Sequence, residues 1–471
     1  MSLLELALIG QLIFWLLIVL LFLISGQASL YHPLTTYLGF HAIVFIIRPL
    51  AVHWLSFNTM WNYMMFEPSE SQFIRCLVVS SVALAAFAAA GVACGWCAPK
   101  FPTTPPASFT REQTIALAVV TALLLPIIAR SIFAGFSGEG TGQQIGGVYV
   151  LTGATGYTLE AQYMMGPLLC AWLAVTRFRW PMLVLAVAYL LYRSYGGWSR
   201  WTILLSFVAI SLIYAWQKRI KWPPMRIVLC AVPLLLLFDL LGHNRDYFQQ
   251  LLRGEPAVRR ELQPGLSPSE RFRTKYDGPD FANFDFLTFV TAMVPERTGT
   301  FTYGSQYLQL FTEPIPRKLW PDKPIGAPIS FFSLNQYGNF VGMTVTLPGD
   351  GWMSGGWIGL IITMSIGGAA LGLLHRWFWK HIADNVPCLF YMVGLAMLPQ
   401  WYRDGGISIA KFLFWNLAPL ILWAALTWAV SGHRISARSV LLAPGTKLRF
   451  VRLSPGETSE GAGVSETAKS V

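Results

Sequence analysis

The sequence predicts an all-α, polytopic membrane protein, and three observations carry that prediction. Of the 471 residues, 54% are hydrophobic and only 12% are charged, far from the roughly one-quarter charged residues of soluble domains. Apolar runs long enough to cross a hydrocarbon core of about 30 Å as helix recur along the chain. Cations collect in the short connections between those runs, as orientation in a bilayer demands.

The runs lie near 3–24, 36–57, 73–96, 113–133, 159–176, 180–194, 199–216, 226–242, 352–374, 386–400 and 407–430, about eleven helices in all. The first has no Lys or Arg before it, since the earliest cation is Arg48. It lacks the charged region of a cleavable signal and reads as a retained helix. The second carries Arg48 with His41 and His53. Ionisable groups at membrane depth are costly, and Arg48-Pro49 reads more readily as a kink or interfacial hairpin than as a site. The six cysteines lie in or beside apolar runs and read as small hydrophobes, with no disulfide framework.

The net charge of +11 is spread over short loops instead of forming a nucleic-acid face. Lys100, Arg177 and Arg179, the acid-free group Lys218, Arg219, Lys221 and Arg226, Arg376 and Lys380, and the tail from Arg434 to Arg452 mark cytoplasmic connections. Alternation puts 58–72, 134–158, 195–198, 243–351 and 401–406 outside, with the N-terminus outside and the C-terminus inside.

Four regions follow. Residues 1–242 form an N-terminal transmembrane bundle, 243–351 a large extracytoplasmic loop, 352–430 the C-terminal transmembrane helices, and 431–471 a cytoplasmic tail. Beyond about 453 the tail is small and polar and is expected to be disordered. From His243 to Asp350 the loop has 108 residues, with eleven basic and eleven acidic side chains, against about 4–6 residues for an ordinary connection. Its stretches 281–294 and 303–311 have the apolar spacing of short amphipathic helices, which suggests a folded or interfacial cap. Residues 134–160 hold eight glycines between 135 and 156 but no Gly-Lys-Ser/Thr, so they read as a turning loop and not as a phosphate cradle.

Charges at the outer helix ends point to chemistry. The orientation rule predicts few cations there, yet Arg130, Arg193, Arg200, Arg403 and Lys411 are present. Each alone could snorkel to headgroups; together they suggest an anion site, because the planar guanidinium grips phosphate in bidentate fashion. Within "FTEPIPRKLWPDKP" (311–324), prolines 314, 316, 321 and 324 restrict the backbone to an extended strap. Such a strap holds Arg317, Lys318 and Lys323 at set distances, while Trp320 suits the headgroup zone. A plain Pro-rich surface connector is the competing reading. Asp350, Glu160, Asp404, Asp239 and His243 all lie near outer helix ends as candidate bases or as ion-pair partners of the arginines, and sequence does not choose among them. No Asp/His cluster has metal-ligand spacing and no Asp-x-Asp occurs, so neither a metal nor a cofactor is expected.

The segment 303–324 resembles one found in Wzy-type polymerases of O-antigen and exopolysaccharide repeat units, through Gly304, Tyr307, Ile315, Pro316, Arg317, Lys323 and Pro324. "TVTLPGDGWMSGGWIGL" (344–360) resembles the family's acidic residue, spacer and glycine entering a helix, with Asp350 where glutamate is the more frequent residue. "WYRDGGISIAKFLFW" (401–415) resembles its outer arginine, and "GGWSRWTILL" (196–205) its Ser-Arg helix start. The likeness covers about 196–425.

That resemblance implies a GT-C-like membrane glycosyltransferase in the bacterial cell inner membrane. It would join undecaprenyl-diphosphate-linked oligosaccharide repeats on the outer face, with a chain-length regulator as partner. In that role Arg317 and Arg403 stabilise the departing diphosphate, Asp350 or Glu160 takes the acceptor proton, and Arg200, Arg193, Lys323, Lys318, Tyr307, Trp320 and Lys411 bind substrate. Two other readings stay open: an O-antigen ligase using the same donor, and a flippase of lipid-linked oligosaccharides. A flippase would be marked by repeats and broken helices at mid-membrane depth; the sequence shows neither mark clearly and concentrates its polar residues in the one large loop instead.

Overall fold

The fold is a bundle of apolar helices in a computed structural model. It describes residues 2–95, 101–102, 106–136, 142–145, 148–151, 156–195, 200–223, 267, 270, 276–278, 281–312, 315, 320, 332–339, 344–406 and 408–430. The chain divides into residues 1–435 and 436–471. The second unit, with the tail expected to be disordered, lies outside the described residues, as does the run 226–242.

Helix α1 (Leu3–Ile24) opens with a capping box in which Ser2 and Glu5 satisfy each other's backbone donors. It buries only Leu8, Gln11 and Phe22, while Leu16, Leu20 and Ile24 are exposed, as suits a helix with most of its surface against lipid. Its buried amide is matched, since Gln11 donates to Ser80 Oγ at 2.6 Å. The second run is broken into α2 (Pro33–His41), a π-helical turn over Ala42–Ile47 and α3 (Arg48–Leu55). Pro49 supplies the cause: it has no N–H and its ring crowds the carbonyl four residues back.

After the short α4 (Thr59–Met64) come α5 (Glu70–Gly95) and α6 (Arg111–Phe136). The glycine-rich loop that follows is not wholly irregular: Gly142–Ile145 pairs antiparallel with Val148–Leu151. Next in order are α7 (Gly156–Glu160), α8 (Met165–Val175), α9 (Trp180–Tyr195) and α10 (Arg200–Gln217). Helix α11 (Asn283–Met293) and the single turn α12 (Gln309–Thr312) come from the long loop, and α13 (Thr346–Lys380), α14 (Asn385–Asp404) and α15 (Ser408–Val430) complete the described helices. Among the described residues, six helices are long and apolar enough to cross a membrane: Leu3–Ile24, Pro33–Leu55, Glu70–Gly95, Arg111–Ala134, Thr346–Lys380 and Phe412–Val430.

Three packing features position the site. First, α5 and α13 touch at their backbones through Gly91 and Gly95 against Gly368 and Gly372. A Cβ on Gly95 would sit 2.7 Å from the Gly372 Cα, and one on Gly91 would sit 3.3 Å from the Gly368 carbonyl oxygen. Both helices thus use small residues four apart, the device that lets membrane helices approach closely.

Second, α13 is not one straight rod. It starts at Thr346, six residues before the apolar run read at 352, and breaks at Gly355–Gly356, where Gly356 takes φ 57° and ψ −133°. A Cβ on Gly351 would lie 3.0 Å from Leu360 Cα, and one on Gly367 would lie 3.6 Å from Leu347 Cδ2. Residues 346–354 therefore fold back along 357–367 as a helical hairpin, which carries Asp350 into the protein.

Third, α11 is buried all round, with Phe284, Phe286, Leu287, Phe289 and Val290 inaccessible. The apolar spacing at 281–294 does mark a helix, but one that plugs the bundle and does not lie on its surface. Arg48 anchors it: the guanidinium donates to Asp285 and to Asp277 Oδ1, and Asp277 also accepts from the Thr59 amide at 3.0 Å. The ionisable group inside the second run is thus a tie between that run and the loop. At the same end of the bundle, Leu4 N–H meets Glu70 and Arg75 meets Glu296.

Candidate functional site

Three chain segments meet where α13 begins. The hairpin contributes Asp350, buried on the helix that Val345 and Thr346 start. The loop contributes Tyr307, held by a left-handed turn at Gly304 (φ 78°) that opens the 3-10 turn Ser305–Leu308. The end of α14 contributes Arg403, Asp404 and the pair Gly405–Gly406, with Gly405 at φ 88°, a conformation only glycine adopts without strain.

The contacts are tight. Gly406 donates its N–H to Asp350 Oδ2 at 2.7 Å. A Cβ on Gly405 would lie 2.9 Å from the same oxygen, and one on Gly406 would lie 3.0 Å from Tyr307 Cε1. The loop is stitched to the hairpin by Thr302 N–H on the Met353 carbonyl at 2.8 Å and by Gln306 Nε2 on Ser354 Oγ at 2.6 Å. Ser354 in turn donates to the Asp350 carbonyl at 2.8 Å.

Several buried polar atoms remain unmatched in this nest, and two of them face each other's segments. Among the described residues, Asp350 Oδ1 has no hydrogen-bond partner, and the Tyr307 hydroxyl makes no well-formed bond although Ser354 and Thr363 lie near it. Buried polar groups are matched as a rule, because an orphan costs about 1–3 kcal/mol. A pair of orphans in contact distance of one Gly-Gly turn is the mark of a site built to meet a polar ligand. Burial, and then the Asp350 carboxylate, raise the Tyr307 phenol well above its usual range, so it stays a neutral donor. Beside them, Arg403 Nη1 lies 3.6 Å from Asp404 Oδ1, and Gln400 donates to Asp404 Oδ2 at 3.2 Å.

A second cluster surrounds Glu160, which accepts from Trp415 Nε1 at 3.1 Å. Arg193 is fully buried there, donates to Gln162 Oε1 at 2.8 Å and stacks 4.9 Å from the Tyr163 ring. Its guanidinium is engaged within the protein, which suits positioning of Gln162 and Tyr163 better than a direct grip on substrate.

Of the other sequence candidates, Trp320 is exposed. Arg317, Lys318 and Lys323 lie outside the described residues. Arg200 and Lys411 start α10 and the first turn of α15 respectively, and their side chains likewise lie outside. Among the described residues, no three His, Cys, Asp or Glu side chains gather as a metal site. The backbone donor Gly406 and the Gln306–Ser354 bond were not anticipated; the Gly-Gly directly after Asp404 was the available signal. Comparison with protein-family models, with curated proteins and with solved structures finds no match to the chain.

Proposed function

We propose that the protein is a membrane glycosyltransferase of the repeat-unit polymerase type. In this reading about eleven helices cross the bacterial inner membrane in a GT-C-like arrangement, and the 243–351 loop lies on the outer face. The substrates are undecaprenyl-diphosphate-linked oligosaccharides. One observation supports it above the others: Tyr307, Asp350 and the 403–406 turn, drawn from three separate segments that resemble the polymerase family, meet around unmatched polar atoms that include Asp350 Oδ1.

The chemistry follows from those groups. The bond between the donor sugar and its lipid diphosphate breaks through a transition state of oxocarbenium character. An acceptor hydroxyl forms the new bond and loses its proton to Asp350 Oδ1, the free carboxylate oxygen. Tyr307 donates a hydrogen bond to a sugar oxygen and fixes its orientation. Negative charge grows on the departing diphosphate, where Arg403 and Arg317 stabilise it, with Lys318, Lys323 and Arg200 as further cations; one well-placed donor contributes about 3 kcal/mol.

The test is direct. Purified protein given the polyprenyl-diphosphate repeat should form a ladder of products, and Arg317→Ala, Arg403→Ala and Asp350→Asn should each abolish it. A deletion strain should carry surface glycans of a single repeat. Polymer stranded on the carrier lipid would point to a ligase, and repeats retained inside to a flippase; either outcome rejects the polymerase reading.

A further inference from the structure

The opposite end of the bundle holds a cavity that the proposed reaction does not use. It is about 500 Å³ and lies between the ends of α8 and α10 and the start of α14. Three cations line it, Arg177, Lys218 and Arg219. Among the described residues no carboxylate lines it; Asp384 precedes the wall residue Asn385 and acts on Cys388 from there. The floor is apolar, with Ala174, Ile213, Leu389 and Met392.

Two of these cations stand where the backbone would prefer another residue. Helix α8 closes with Phe178 N–H on the Leu173 carbonyl and Arg177 N–H on Ala174, and α10 closes with Ile220 N–H on Ala215 and Arg219 N–H on Trp216. Both are Schellman closures, in which glycine normally takes the left-handed position. Here Arg177 (φ 51°) and Arg219 (φ 53°) take it. Basic groups suit a helix C-terminus, and both arginines stand on the cavity wall although their backbone, like that of Phe178, is left-handed. Arg219 is also stacked 4.2 Å over Trp216, which fixes its guanidinium at the wall.

The surroundings set the depth. Trp180 is 74% exposed and Trp222 is 43% exposed, and tryptophans so placed at helix ends sit at the headgroup level of a bilayer. A basic rim, an apolar floor and an interfacial belt together match a phosphate on an acyl chain and not a fully hydrated anion. We propose that this cavity binds the phosphate headgroup of an anionic membrane lipid, with Arg177, Lys218 and Arg219 on the phosphate and the first chain methylenes on Ile213, Leu389 and Met392.

The experiment titrates the full-length protein, purified in detergent, with phosphatidylglycerol and with phosphatidylcholine of the same acyl chains. Bound lipid is counted by native mass spectrometry. Phosphatidylglycerol should bind the tighter. The double variant Arg177→Gln/Lys218→Gln, in which both side chains are exposed and folding is spared, should weaken it by about 5-fold per cation, or about 25-fold together. Arg111→Gln, exposed and outside the cavity, should leave it unchanged. Equal binding of the two lipids, wild-type affinity in the double variant, or an equal loss in Arg111→Gln would each overturn the proposal. Displacement of phosphatidylglycerol by millimolar inorganic phosphate would instead make this a free-anion site and reject the lipid.

Discussion

Gly406 holds the buried Asp350 carboxylate through one backbone N–H at 2.7 Å, and so fixes which oxygen is free. Oδ2 is occupied and Oδ1 is open to a ligand. The carboxylate is thereby oriented by a turn that tolerates no side chain. Gly405→Ala should disturb it in two ways: the methyl would fall 2.9 Å from Oδ2, and alanine would be forced into φ 88°. The backbone term alone is about 1–2 kcal/mol. Thermal unfolding of the purified variant should show that loss, and ladder formation should fall with it.

Asp350→Asn separates chemistry from folding. The amide keeps the shape and still accepts from Gly406, but it cannot take a proton. Product formation should drop by about 100-fold or more while the unfolding midpoint stays near wild type. Wild-type activity in this variant would remove Asp350 from the proposed mechanism.

Tyr307→Phe tests the second orphan. Deleting a buried hydroxyl that makes no well-formed bond should leave stability unchanged or slightly improved, since an unmatched polar group is itself destabilising. If the hydroxyl bonds to substrate, the rate should fall about 5-fold for one neutral hydrogen bond. A drop in stability with no change in rate would assign Tyr307 to packing.

The lipid-facing helices were the most legible part of the fold. The first run, 3–24, coincides with α1, because hydropathy is read directly by the solvent that helix meets. The hairpin in α13 was not legible: "SGGWIGL" stays apolar through the reversal, and hydropathy is blind to direction. The same limit hid the burial of α11, whose partners in α5 and α13 are remote in sequence. At the site, Tyr307, Asp350 and Arg403 were visible as residue types at helix ends. Their meeting was not, because it depends on that reversal and on the Gly405–Gly406 turn.

The tie between Arg48 and Asp285 should govern whether the loop stays seated. Breaking a buried ion pair from one side leaves an uncompensated charge and costs about 3–5 kcal/mol. Arg48→Ala and Asp285→Ala should therefore each lower the unfolding midpoint and open 281–312 to limited proteolysis. Arg48→Met with Asp285→Leu, which removes both charges, should recover much of the loss, although Asp277 also bonds Arg48 at 3.0 Å and limits the recovery. A double variant no better than the singles would mean the pair contributes no coupling of its own.

The backbone contact between α5 and α13 carries the site indirectly, because α13 holds the hairpin that bears Asp350. On Gly372 any side chain would meet the α5 backbone at Gly91 and Gly95, and backbone cannot swing aside as a flexible side chain would. Gly372→Ala should cost about 1–3 kcal/mol by overpacking, and a bulkier Gly372→Val should cost more. Gly10→Ala makes the internal control: it is also a glycine in an apolar helix, but nothing lies within 4 Å of its Cβ position, so the substitution should be neutral or mildly stabilising through the better helix propensity of alanine. Thermal unfolding of the three variants in the same detergent measures the contrast. If helix separation moves the hairpin as well, Gly372→Ala should lose ladder formation out of proportion to its stability, since a displacement of about 1 Å at a reacting group can cost 100-fold in rate.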